Sequence, residues 1–140
     1  MARRSGSFVD SVTRPRATAL RVLVLDDNPI ELALCVMLLS HAGHDVQGVA
    51  DAAAFEAALA AREPDLVLLD IQLGNGPSGM ELLLSLHRRG IKTPVALMSG
   101  YPDWYAPVVI AGTGYVGRLQ KPVDAAAFAA QVEALAVRTT

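Results

Sequence analysis

Five residues of this 140-residue chain have side chains that can do chemistry together, and each lies at or just past the end of a short apolar run. Asp26 and Asp27 follow "RVLVL", Asp70 ends "LVLLD", Ser99 closes "VALMS", and Lys121 comes two positions after "YVGRL". Adjacent carboxylates repel, and burying one is costly unless something pairs with it. The acidic pair therefore either lies in water as a turn or sits where a cation is expected. A hard divalent cation such as Mg2+ takes oxygen ligands and keeps several waters, so it would stabilise three carboxylates on one edge. A cation, a lysine and a hydroxyl around a carboxylate are the parts needed to transfer a phosphoryl group to it. The positive groups neutralise the equatorial oxygens while Asp70 attacks in line and becomes an acyl phosphate.

The elements that must position these residues alternate along the chain. "RVLVLD" (21–26) reads as a buried strand. Asn28 and Pro29 then open a helix that Gly43 stops. A weaker strand, 45–50, precedes a helix over 52–62 capped by Asp51. After the Pro64-Asp65 turn comes the wholly apolar strand 66–70, then the glycine-rich loop "IQLGNGPSG" and the helix "MELLLSLHRRG". Residues 93–100 give a fourth strand, 101–112 a short irregular fourth helix, 115–119 a fifth strand and 124–137 a last helix. Five such β-α units predict an α/β, doubly wound fold, a five-stranded parallel sheet flanked by five helices. Ligands of such sheets bind beyond the carboxyl ends of the strands, where all five residues fall.

Composition agrees with one globular domain. The chain is 52% hydrophobic and 19% charged, enough to form a core. Its apolar runs stop well short of the roughly 18 residues of a membrane span, and no membrane partner is expected. The lone Cys35 excludes an internal disulfide and reads as a small core residue, in keeping with a cytoplasmic location. Residues 1–21 hold five arginines against Asp10, whereas the rest of the chain is acidic. Residues 1–18 read as a mobile basic tail with no apolar signal region, and 19–140 as the domain. A solvated tail or a misplaced start codon accounts for the arginines more simply than nucleic acid, which is not an expected partner.

Taken in order, "LDDN", "LLDIQL", "MSG" and "KP" resemble the motifs of the receiver domain of two-component response regulators. The resemblance runs from about residue 20 to 137. It implies a flavodoxin-like sheet of strand order 2-1-3-4-5 and makes Asp70 the phosphoacceptor. It implies Mg2+ held by Asp27, Asp70 and the main-chain carbonyl of Gln72, with Asp26 acting mostly through a metal-bound water. Ser99 becomes the switch hydroxyl, Lys121 the partner of the phosphoryl oxygens, and the Lys121-Pro122 bond cis. Gln72 and Tyr101 occupy positions that border the phosphate. The donor would be a histidine kinase or phosphotransfer protein. With no effector domain expected after residue 137, output would pass through protein contacts on the helix 4, strand 5, helix 5 face. The protein would not be an enzyme beyond its own phosphorylation and dephosphorylation. A relay intermediate, a piece of a hybrid kinase and a homodimer all stay open.

Two departures from that pattern stand out. Gly74 replaces an expected proline, and the loop holds one extra residue before Gly79. Arg118 takes the place of the switch aromatic, and Tyr115, three residues earlier, should face the other side of the strand. The alternative is therefore a pseudo-receiver, a binding module whose output ignores phosphorylation. A phosphomonoester hydrolase would want an acid where Gln72 stands and a cap domain to exclude water. "GNGPSG" lacks the Gly-Lys-Ser/Thr ending of a nucleotide loop. His41 and His44 flank a helix end, where positive charge is favoured, and no metal role is expected of them.

Overall fold

Alternate residues of each strand go to opposite sides of one sheet, and this alternation builds two cores. Leu23, Leu25, Val67, Leu69, Val95 and Leu97 pack on one side with Phe55 and Leu83. Val22, Val24, Leu66, Leu68, Ala96 and Met98 pack on the other with Cys35, Leu39, Phe128 and Val132. The computed structural model describes residues 19–74, 76–100 and 112–137. The expected tail, Trp104 and Tyr105, and the fourth helix except for Gly112 lie outside these residues.

The strands are β1 (Arg21–Leu25), β2 (Asp45–Val49), β3 (Leu66–Asp70), β4 (Val95–Ser99) and β5 (Tyr115–Gln120). They form one five-stranded sheet in the order β2-β1-β3-β4-β5, all parallel. The α/β fold, the parallel sheet and its order are those expected. Helices α1 (Pro29–His41), α2 (Ala52–Ala61) and α3 (Gly79–Arg88) follow β1, β2 and β3, and a C-terminal helix spans Phe128–Val137. Helices α2 and α3 supply Phe55 and Leu83 to the first core, while α1 and the C-terminal helix cover the second.

The caps follow from residue type. The Asn28 side chain accepts from the Ile30 and Glu31 amides, and Asp51 accepts from Ala54 at 2.7 Å. Gly43 ends α1 with φ at 97°, a conformation that side-chain-bearing residues rarely adopt. Helix α3 begins one residue before the expected "MELLL", because Ser78 and Glu81 form a reciprocal capping box. The last helix begins at Phe128 and not at Asp124. Asp124 instead folds the chain into a turn, its carboxylate accepting from the Ala126 amide and its carbonyl from Ala127 and Phe128.

One expectation about the sheet is corrected. Tyr115 pairs with Val95, but Gly117 and not Val116 pairs with Ala96, and Arg118 pairs with Leu97. A bulge thus adds one residue to β5. Val95 and Leu97 share a face, so their partners Tyr115 and Arg118 share it too. The extra residue cancels the flip that a three-residue spacing would otherwise impose.

Candidate functional site

Carried past the strand ends, the alternation that builds the second core sends Asp26 and Asp70 to the α1 side of the sheet. Both carboxylates are buried, with the Asp26 residue 0% and Asp70 3% exposed. Lys121 reaches them from the loop after β5. Its Nζ lies 3.2 Å from Asp26 Oδ2 and 3.0 Å from Asp70 Oδ2. The Lys121 amide donates to the Ser99 carbonyl at 2.8 Å, tying the lysine's backbone to the end of β4. The Lys121-Pro122 bond is cis. The remaining carboxylate oxygens are held by nearby amides: Asn28 donates to Asp26 Oδ1 at 2.9 Å and Gln72 to Asp70 Oδ1 at 3.0 Å.

Asp27 is exposed, and its Oδ2 accepts from the Gly74 amide at 2.6 Å. A proline at position 74 would have no N–H to give, so the departure from the family pattern supplies a donor to this carboxylate. Asp26, Asp27 and Asp70 each offer an oxygen within 4.8 Å of the others. An all-oxygen set at that spacing fits a hard divalent cation. Asp27, Asp70, Gln72, Gly100 and Lys121 line one open cleft over the cluster. Ser99 is buried at the end of β4, while Tyr101 lies outside the described residues.

The electrostatics follow from burial and company. Burial raises the Asp26 carboxyl above its usual 3.8, and the Asn28 amide and Lys121 charge only partly offset this. Burial alone would lower the Lys121 ammonium. Hydrogen bonds to Glu31 and Asp70, with the charges of Asp70 and Asp26, outweigh burial and hold it above its usual 10.5. Beneath the site the Cys35 thiol is pushed up to about 12, first by burial and then by the Asp26 charge. It is a core residue with no thiolate character, as its apolar setting suggested.

From behind, α3 fixes the position of Asp70. The Gly79 amide donates to the Ile71 carbonyl at 3.1 Å. A Cβ on Gly79 would come within 2.4 Å of the Asp70 carbonyl oxygen, so only glycine lets the helix approach this closely.

Three features escaped the sequence reading. Glu31, in the first turn of α1, places Oε1 against Lys121 Nζ. His44, expected only to flank a helix end, is buried. Its Nδ1 accepts from the Leu20 amide at 3.0 Å and its Nε2 faces Glu133 Oε2 at 2.8 Å, joining the start of β1 to the C-terminal helix. Arg118 Nη1 donates to Gln120 Oε1 at 2.9 Å, and Gln120 Nε2 to the Gly100 carbonyl at 3.4 Å. Only the i, i+2 spacing of Arg118 and Gln120 was visible as a signal. Among the described residues no helix is long and apolar enough to cross a membrane.

Comparison with known proteins matches this geometry. A family model described as the response regulator receiver domain covers residues 22–133. The nitrogen assimilation regulatory protein NtrX of Azorhizobium caulinodans is 32% identical over 105 residues, 74% of this chain and 23% of that protein. The crystal structure of NtrX from Brucella abortus matches with a TM-score of 0.75 at 31% identity, covering 87% of this chain and 27% of that one. The chemotaxis response regulator CheY4 of Vibrio cholerae matches with a TM-score of 0.74 over 84% of this chain and 99% of its own, and at 19% identity that likeness is one of fold. The chain spans between 23% and 54% of the length of the curated relatives it matches. With that family match over most of its length, a 2-1-3-4-5 parallel sheet and an acidic cluster at the carboxyl edge, the chain belongs to the response regulator receiver domains of two-component systems.

Proposed function

We propose that the chain accepts a phosphoryl group on Asp70 from a histidine kinase or phosphotransfer protein and signals through protein contacts. The observation that carries this reading is a buried Asp70 whose Oδ2 lies 3.0 Å from Lys121, inside a cluster of three carboxylates. In the reaction an Asp70 oxygen bonds to phosphorus as the P–N bond to the donor imidazole breaks, and the departing imidazole takes a proton from solvent. Asp26, Asp27, Asp70 and the Gln72 carbonyl would hold Mg2+, which supplies positive charge against the phosphoryl oxygens. Lys121 takes one of those oxygens, and Ser99 donates a hydrogen bond to another. The Gln72 amide already orients the acceptor from its other side. The chain acts on itself and turns over no other substrate.

The output face would include β5 and the C-terminal helix. The Arg118–Gln120–Gly100 hydrogen-bond chain supports this, since it links the end of β4 to the exposed side of β5. The same Arg118, standing where an aromatic is usual, favours a second reading, a module whose binding does not depend on phosphorylation. Intact mass after incubation with acetyl phosphate separates the two. A Mg2+-dependent gain of one phosphoryl group, absent in Asp70→Asn, is expected. No gain in folded protein, beside a control receiver that reacts, overturns the phosphoacceptor reading in favour of the second.

A further inference from the structure

A lysine ammonium has three N–H donors. Three carboxylates surround that of Lys121: Asp26 Oδ2 at 3.2 Å, Asp70 Oδ2 at 3.0 Å and Glu31 Oε1. Its donors are therefore all engaged before any phosphoryl group arrives. A phosphoryl oxygen can gain Lys121 only if one carboxylate lets go.

The three are not equally held. The Asp26 side chain is 0% exposed and that of Asp70 5%, whereas that of Glu31 is 45% exposed. Asp26 stays a buried carboxylate throughout, and Asp70 keeps its charge until its own bond to phosphorus has formed, so neither gives up the lysine on the approach of a phosphoryl group without leaving a buried charge less well paired. Glu31 can swing into water, where an exposed ion pair is worth little and the freed carboxylate is hydrated at once. Its backbone need not move, because the Asn28 side chain holds the Glu31 amide at 3.0 Å. Glu31 also lines the cleft over the acidic cluster together with Asp27, Asp70 and Gln72, on the path an incoming anion would take.

We infer that Glu31 is a displaceable counter-anion: it occupies the third N–H of Lys121 in the unphosphorylated protein and yields it to a phosphoryl oxygen on Asp70. The inference rests on Asp70 being the phosphoacceptor. Glu31 is a positioning residue in this scheme. It keeps Lys121 aimed at the cleft, and it competes with the phosphoryl group for the same donor. Its negative charge also opposes the dianion directly, so competition and repulsion act in the same direction.

The test uses the full chain as wild type, Glu31→Gln, Glu31→Ala and Asp70→Asn, with beryllium fluoride as the phosphoryl probe at saturating Mg2+. Bound probe is counted by 19F NMR, Mg2+ affinity is measured separately by calorimetry, and melting temperature checks the fold. Both Glu31 variants should bind the probe about threefold or more tightly than wild type, the scale of an exposed ion pair, while Mg2+ affinity holds or weakens slightly. The gap should narrow as salt is raised, a response that a purely structural role would not give. Equal or weaker probe binding by the folded Glu31 variants overturns the inference, while binding by wild type but not Asp70→Asn leaves the phosphoacceptor reading standing. No binding by wild type overturns both.

Discussion

Each end of the sheet carries a cluster of charges, and the two are built on opposite principles. At the amino ends of the strands Arg62 meets Asp45 at 3.1 Å, Arg21 lies 3.9 Å from the same carboxylate, and the Arg21 amide donates to Asp65 at 2.8 Å. Opposite charges there alternate, and the Arg21, Arg62 and Asp45 side chains are 45–59% exposed. At the carboxyl ends Asp26, Asp27, Asp70 and Glu31 gather about Lys121, the one cation there among the described residues, and Asp26 and Asp70 are buried. Water screens the first cluster, and its loss would cost little. The second is short of positive charge, and its Asp26 and Asp70 are shielded from water, so the loss of Lys121 is felt there and a further cation or a charged ligand has something to act on. A domain can carry such a deficit at one edge because two apolar layers hold the fold.

The largest effect should come from removing the charge of Lys121. Lys121→Met strands Asp26 and Asp70, and urea titration in chelator should show a loss of about 3 kcal/mol. Excess Mg2+ should restore part of it, since another cation then meets the same carboxylates. No loss in chelator would mean that the acidic edge is better hydrated than its burial implies.

A smaller change, of opposite sign, should follow removal of an anion. Burial disfavours the charged form of Asp26, so Asp26→Asn should raise the melting temperature in chelator at neutral pH. The direction of the pH effect is fixed by the raised folded-state pKa. The folded protein binds the Asp26 proton more tightly than the unfolded chain does, so stability relative to Asp26→Asn falls as pH rises from 3.8 through the folded value, and stays low above it. A melting difference that is flat from about pH 4 to pH 7 would remove the contrast between the two edges.

Least of all should change at the amino edge. Arg62→Ala loses an exposed pair with Asp45 and should cost less than about 1 kcal/mol, with no effect on Mg2+ binding or phosphoryl uptake. A larger loss would show that this cluster acts as a network.

How much of this was legible depended on whether the cause was local. The strands carrying Asp26, Asp70 and Ser99 are apolar runs ended by a polar residue, and the strand carrying Lys121 ends two positions before it. Chain order alone therefore brought all five site residues to one edge. Asn28, Asp51 and Gly43 act within a few residues of themselves, and their roles as caps and stop were readable. Glu31 is different, because it meets Lys121 across 90 positions only when α1 covers the face to which Asp26 and Asp70 point. His44 and Glu133, 89 residues apart, meet for a similar reason. The bulge at Val116 was hidden because it is a property of the pairing between β4 and β5, and an unbulged strand put Tyr115 on the wrong face. Gly74 showed in the sequence only as a replacement for an expected proline, because its amide meets Asp27 from 47 positions away.

Gly79 carries no reacting atom, yet α3 rests on the Asp70 carbonyl through the hydrogen that stands where every other residue has a Cβ. In coding terms a substitution there cannot be absorbed by a side chain turning aside, because the atoms it meets are main chain. Each non-glycine codon adds a methyl or more against the peptide that holds Asp70 in place. The Gly74 loop at the rim of the cleft and Arg118 on β5 meet side chains that can shift when either changes. The wall behind Asp70 leaves no such freedom.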